Sequence, residues 1–224
     1  MSHGISEETV DPLDVVHAMS RRAYNLAAQR YHEMFHDEMD KKEYDRKLLD
    51  AFSARFTKTS VVCDAGCGPS GHIGRYLFDK GIKVVGVDIA DGCVALARRK
   101  NPGMQFERGD LARLAFDDGS FDGVISYYSI VHTPKKYAGI IFDEFHRILK
   151  AGGYLLVAVK AGTTEGIITD LVGIKTEIYF TLFSEAEIAQ YFEGAGFLLE
   201  SMEKRNPYDF EIGNERIFAV GRKT

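Results

Sequence analysis

The feature that most constrains this chain is a short apolar run ending in an acid and a glycine-rich turn, Val61-Val62-Cys63-Asp64-Ala65-Gly66-Cys67-Gly68-Pro69-Ser70-Gly71. Apolar residues bounded by turn formers read as a buried strand. Glycines at 66, 68 and 71 let the backbone turn sharply and come close to another group, because no Cβ stands in the way. Ile73, Tyr76 and Leu77 then recur at helical spacing, closed by Gly81. A strand, a glycine turn and a helix are the opening of a βαβ unit.

The alternation continues downstream. Residues 83–87 predict a second strand ending at Asp88, and a helix over 91–100 stops before Pro102. Residues 104–108 form a weaker strand ahead of Gly109-Asp110. A fourth strand over 121–128 is entered from the turn Asp117-Asp118-Gly119-Ser120. A helix over 136–149 turns Ile141, Phe145 and Ile148 inward, and a fifth strand occupies 154–159. Such alternation predicts an α/β fold, a parallel sheet with helices on both faces. Residues 160–183 show no firm element. Ser184 to Glu187 look like a capping box opening a helix to about 193. Strands over 197–205 and 215–222 have no helix between them, so they should pair and add an antiparallel strand at one edge. Ahead of the alternation, Tyr24, Ala27, Ala28, Tyr31, Met34 and Phe35 share one helical face, and a second helix over 40–55 turns Leu48, Leu49 and Phe52 inward. Residues 1–12 lack periodicity and are expected to be a loose arm, leaving 13–224 as a single domain.

Charge narrows the partners. The net charge is −5, and the basic pairs (Arg21-Arg22, Lys135-Lys136) and the triplet Arg98-Arg99-Lys100 are scattered. No basic stripe of the kind that neutralises phosphates is visible, so no nucleic-acid partner is expected. The three cysteines, Cys63, Cys67 and Cys93, form no CxxC pair. They are expected to be buried free thiols, with no metal site. No apolar run reaches membrane-span length and residues 1–12 do not read as a leader, so a cytoplasmic protein with no membrane partner is expected. Oligomeric state leaves no signature.

In open α/β sheets, ligands bind beyond the carboxyl ends of the strands, so acids at strand ends carry the most information. Asp88 stands about 20 residues beyond the turn, where a carboxylate accepts both hydroxyls of a ribose, with a helix N-cap as the rival role. Asp64, two residues before Gly66, would repel a pyrophosphate and suits a ligand with an ammonium or sulfonium group. Asp110 is placed to accept from an adenine amine. The helix after the turn offers free N–H groups. Taken alone, the glycine pattern also fits a turn that merely packs.

With these residues in place, the chain resembles the class I S-adenosylmethionine-dependent methyltransferases of the small-molecule group. The stretches that carry the resemblance are VVCDAGCGPSGHIGRYL (61–77), VVGVDIADGCVALARRKNPG (84–103), FERGDLARLAFDDGSFDGVISYYSIVHTP (106–134), FHRILKAGGYLLVAV (145–159) and TLFSEAEIAQYFEGAGF (181–197). The resemblance implies a Rossmann-like three-layer sandwich whose seven-stranded, mostly parallel sheet runs 3-2-1-4-5-7-6. It implies that the turn 64–71, with Cys67, holds the methionine moiety. Asp88, with Ile89 beside it, would bind the ribose, Asp110 and Leu111 would flank the adenine, and Ser126 to Tyr128 would sit beside the sulfonium. The turn reads GCGPSG where the family commonly has GCGxG, one residue longer, which leaves the contacts of Pro69, Ser70 and Gly71 open.

The function so implied is methyl transfer to a small-molecule oxygen, nitrogen or carbon. His132, after the fourth strand, is the candidate general base, with packing beside Pro134 as the rival role. Ser126-Tyr127-Tyr128-Ser129 is unlike the Asn-Pro-Pro-Tyr type motifs of base-amine methyltransferases. Tyr24 and Tyr31, seven residues apart, share a face of a leading helical lid over 13–56 and could reach cofactor or substrate. Tyr179, Phe180 and Phe183 make 160–183 the expected roof of an acceptor site. Two other readings fit the same residues: an NAD-dependent oxidoreductase, and a protein that binds S-adenosylmethionine without methylating anything.

Overall fold

The apolar runs become strands and the periodic segments become helices in the computed structural model, which describes residues 12–224. In chain order the elements are α1 (Pro12–Phe35), α2 (Glu43–Ser53), β1 (Val61–Ala65), α3 (His72–Phe78), β2 (Lys83–Asp88), α4 (Asp91–Lys100), β3 (Gln105–Arg108), β4 (Phe121–Tyr127), α5 (Lys135–Ile148) and β5 (Leu149–Lys160). They continue with β6 (Glu165–Leu171), β7 (Ile174–Thr181), α6 (Glu185–Gly194), β8 (Phe197–Arg205) and β9 (Arg216–Lys223). Of the arm expected over 1–12, residues 1–11 lie outside the described residues, and Pro12 opens α1.

Seven strands form one sheet in the order β3-β2-β1-β4-β5-β9-β8. Counting only strands of this sheet, the succession is 3-2-1-4-5-7-6. The strands β1 to β5 are mutually parallel, whereas β9 runs antiparallel to both β5 and β8. The late hairpin thus closes this side of the sheet, with β9 one place in and β8 outermost. Adjacent residues of β1 serve opposite faces, as the pleat requires. Cys63 packs toward Phe142, Phe145 and Phe192 of α5 and α6, and Val62 toward Leu49, Phe52 and Leu77 of α2 and α3. Burial of each large side chain contributes roughly 1.5–3 kcal/mol. The capping box at Ser184 is complete: its side chain accepts from the Glu187 N–H, and the Glu187 carboxylate accepts from the Ser184 N–H.

Residues 160–183 are not irregular, contrary to the periodicity reading. They hold the two-stranded hairpin β6–β7, separate from the main sheet. Its two-residue turn is Val172-Gly173, with φ of 50° and 83°. Positive φ at both central residues is the type I′ geometry, which usually calls for Asn-Gly or Asp-Gly. Valine at that position hides the turn from a composition-based reading. The hairpin packs on α1, where Ala23 and Ala27 meet Leu171 and Ile178, while Ala28 on the next face meets Ala90, Cys93 and Leu96 around α4. Small residues let the helix approach both partners closely. Met34, expected on the inward face, is exposed near the helix end.

Candidate active site

The glycine turn is tied to the neighbouring strand before it reaches any ligand space. The N–H groups of Gly66 and Cys67 donate to the Val87 carbonyl at 2.8 and 2.9 Å. Gly66 has φ +83°, and a Cβ there would lie 2.1 Å from the Ser129 Cβ. The segment after β4 can therefore press against the turn only because residue 66 is glycine. Gly68, at φ +62°, differs: a Cβ on it would meet nothing within 4 Å. Its bare face looks into the cavity. Gly71 caps α3 at φ +56°, and a Cβ there would crowd Phe106 at 2.8 Å. The extra residue of the GCGPSG turn is absorbed by burying Pro69 and Ser70. The Ser70 carbonyl accepts from Asn101 Nδ2 at 2.8 Å, and its hydroxyl meets His32 Nδ1 at 3.1 Å.

Three acids stand at the carboxyl ends of β1, β2 and just beyond β3. Asp64 is buried and accepts from the Gly74 N–H at 2.9 Å. Asp88 is buried and accepts from the N–H groups of Gly68 and Ala90, each at 2.9 Å. Burial pushes both carboxyls up to about 6, partly offset by these N–H donors and, for Asp64, by the charge of His72. Neither forms an ion pair among the described residues. Asp110 is half-exposed. Burial acts to raise it, but His17 Nδ1 at 2.6 Å and the Ala112 N–H at 2.9 Å hold it below the usual carboxylate range.

Beyond β4 the chain makes a strained exit. Tyr128 has φ +57°, unusual for a bulky residue and typical of functional sites. The short 3₁₀ turn Ile130–His132 then presents His132. Its Nδ1 lies 2.8 Å from the Tyr179 carbonyl of β7, and its Nε2 lies 2.9 Å from the Tyr24 hydroxyl of α1. A carbonyl only accepts, so Nδ1 carries the proton and Nε2 accepts from Tyr24. Burial pushes the ring down to about 4, so it is neutral at pH 7. The imidazole thereby joins helix and hairpin over the sheet.

These pieces enclose a space of about 840 Å³, open solvent included. Of the residues picked from sequence, Asp64, Gly66, Cys67 and Gly68 line it from the turn. Asp88, Ile89, Asp110 and Leu111 line it from the ends of β2 and β3, and Tyr24, Tyr31, Tyr127 and His132 close it. Gly71 and Ser126 are not brought to it. Gly71 packs on Phe106, and the Ser126 hydroxyl is turned to Ser129 Oγ at 2.6 Å. Tyr127 lines the space with its ring, but its hydroxyl donates to buried Asp45 of α2. Sequence reasoning missed His17, Ser20, His72 and Thr133. The signal for His17 was present: His17, Tyr24 and Tyr31 stand seven apart on one stripe of α1. Among the described residues no group of His, Cys, Asp and Glu is arranged to hold a metal ion, and no helix is long and apolar enough to cross a membrane.

Known proteins share this framework. A family model described as a methyltransferase domain matches residues 63–157. A demethylmenaquinone methyltransferase of Beutenbergia cavernae is 32% identical over 157 residues, covering 70% of this chain and 63% of that protein. A malonyl-[acyl-carrier protein] O-methyltransferase of Enterobacter lignolyticus is 29% identical, covering 62% of this chain and 52% of its own length. The chain thus spans between half and two thirds of these curated relatives. Among solved structures, the 1,6-didemethyltoxoflavin-N1-methyltransferase of Burkholderia thailandensis superposes with a TM-score of 0.73 at 20% identity, covering 99% of this chain and 98% of that one. The family match begins inside β1 and ends inside β5, so the stretch similar to methyltransferase domains carries the glycine turn and all three strand-end acids.

Proposed function

We propose that the chain transfers a methyl group from S-adenosylmethionine to a small-molecule acceptor. The observation that carries this reading is Asp88, a buried strand-end carboxylate with no cation partner among the described residues, one oxygen of which fixes the Gly68 N–H beside an open face. Such a group has acceptor capacity to spare for a pair of ligand hydroxyls. Asp64 and the turn around Gly66 and Gly68 would hold the amino-acid end, and Asp110 and Leu111 the adenine end. In this reading α1 and α2 form the lid and the β6–β7 hairpin the roof of the acceptor space.

S-adenosylmethionine, when bound, supplies a methyl carbon made electrophilic by a leaving group that departs as a neutral thioether. The protein then has to align, enclose and move a proton. Ser129 and Tyr128 lie where the turn meets the exit from β4 and set the floor of that alignment. His132 Nε2 is the atom that accepts a proton from an acceptor hydroxyl or amine, with Tyr24 its resident donor. Calorimetric titration with S-adenosylmethionine and with NAD tests the reading. Binding of the former alone is expected, and tight NAD binding without it would overturn the proposal.

Two further outcomes follow. For Asp64 and Asp88, the folded free protein holds protons to about pH 6, whereas unfolded carboxyls release them near 3.8. Stability of the free protein should therefore fall as pH rises between those values. The cationic, hydroxyl-bearing cofactor favours the carboxylate forms, so its affinity should climb from pH 5 to 7 and level off, by roughly tenfold per group. Titrations across that range check the sign; a flat profile contradicts it. Replacing His132 by alanine should lower kcat about 10²-fold or more for an acceptor that loses a proton, with cofactor affinity unchanged. Equal losses in cofactor binding would instead make His132 a packing residue.

A further inference from the structure

Past His132 an aromatic surface continues onto β7. The Phe180 ring lies 6.0 Å from the His132 ring, and the ammonium of Lys160 lies 5.5 Å from the Phe180 ring centre. Lys160 is the last residue of β5 and is half-buried beside Arg216, its partner across β9. It stands at the edge of a buried charge cluster in which every other cation is matched. Lys42 contacts Glu38 at 2.7 Å and Glu211 at 3.0 Å. Arg205 contacts Asp45 at 2.8 Å and Glu211 at 2.7 Å. Arg216 contacts Glu211 at 3.4 Å and donates to the Ile212 and Asn214 carbonyls. The carboxylates of the cluster are thus committed. The Lys160 ammonium alone has no ion pair and no hydrogen bond among the described residues.

A desolvated ammonium without a counter-ion is costly, and an anion placed on it recovers that cost. Burial and the charge of Arg216 already push Lys160 down to about 8. The Phe180 ring meets both the Lys160 ammonium and the His132 ring. With the ammonium over the Phe180 ring, a flat molecule with an acidic oxygen can meet an aromatic surface and a positive charge together.

We propose that Lys160 is a specificity-determining residue, and that the methyl acceptor is a planar small molecule carrying an anionic oxygen (a carboxylate, enolate or phenolate) that pairs with its ammonium. This rests on the methyltransferase reading and adds the acceptor's charge to it. No bond changes at Lys160; it holds the acceptor while the nucleophilic atom faces the cofactor.

The test uses the full chain saturated with S-adenosylhomocysteine, titrated by NMR with 4-hydroxybenzoate and with its neutral counterpart 4-hydroxybenzamide. The acid should bind at least about tenfold more tightly, as expected for a hydrogen bond between charged groups. Lys160→Gln should erase the difference without changing affinity for the amide or for S-adenosylhomocysteine, and Lys160→Arg should keep most of it. Equal binding of acid and amide, no binding of the acid, or a preference that survives Lys160→Gln overturns the inference. Failure of S-adenosylhomocysteine itself to bind would instead strike the methyltransferase reading.

Discussion

Asp88→Ala is expected to weaken S-adenosylmethionine binding by about 10²–10³-fold. Two hydroxyl donors lose a charged acceptor, each such bond being worth roughly 1.5–3 kcal/mol. The loss extends to the turn, because Asp88 also fixes the Gly68 and Ala90 N–H groups. Asp88→Asn separates the two parts: its single carbonyl oxygen can keep one N–H partner while losing the charge, so it should fall between wild type and alanine. Calorimetry on the folded variants, with circular dichroism to confirm folding, gives the answer. Wild-type affinity in Asp88→Ala would remove Asp88 from the cofactor site.

Gly66→Ala should cost about 2–5 kcal/mol of stability and abolish cofactor binding in whatever fraction still folds. Two penalties add. A non-glycine residue at φ +83° pays roughly 1–2 kcal/mol. The new methyl, 2.1 Å from Ser129 Cβ, must displace backbone, at roughly 1–3 kcal/mol for overpacking. Gly68→Ala pays only the first penalty, since its Cβ would enter open space. The pair therefore separates fold from site: Gly66→Ala should lower the unfolding midpoint clearly, and Gly68→Ala should mainly lower cofactor affinity. Equal thermal shifts for the two would contradict this division.

How much was legible depended on whether local residues carry their own geometry. The strand-turn-helix at 61–77 announces itself because apolar residues, a terminal acid and glycines at φ-demanding positions agree. The capping box at Ser184 is likewise a local device. The hairpin over 165–181 was hidden for the opposite reason. Its turn places Val172 in the left-handed region without the usual Asn or Asp, and β6 exposes Ile167 and Ile168 instead of alternating cleanly. What holds it is tertiary: α1 packs on β7, and the Tyr179 carbonyl receives His132.

The site divides in the same way. Asp64, Asp88 and Asp110 are set by position in the strand pattern, so counting along the chain finds them. His17 reaches Asp110 from 93 positions away and Tyr24 reaches His132 from 108 away. Such contacts depend on how α1 lies across the sheet, which no short window encodes. Gly71 and Ser126 were chosen from motif and resemblance, yet one supports helix α3 against Phe106 and the other binds Ser129. Lys160 gave no signal, since a lysine at a strand end is commonplace until its neighbours prove to be paired elsewhere.

The outer strands of the main sheet bear on how the chain behaves in a crowded solution. Its two rims are β3, only four residues long, and β8, which exposes Glu200, Glu203 and Lys204. Brevity on one rim and charge on the other discourage further strands from joining, which is how many sheets avoid aggregating. The hairpin is less protected on β6, where Ile167 and Ile168 stand in water between the exposed charges of Glu165 and Asp170. Any tendency to self-associate or to misassemble during folding therefore concentrates at this hairpin, and lysine at Ile167 should raise the concentration at which the protein stays monodisperse in light scattering.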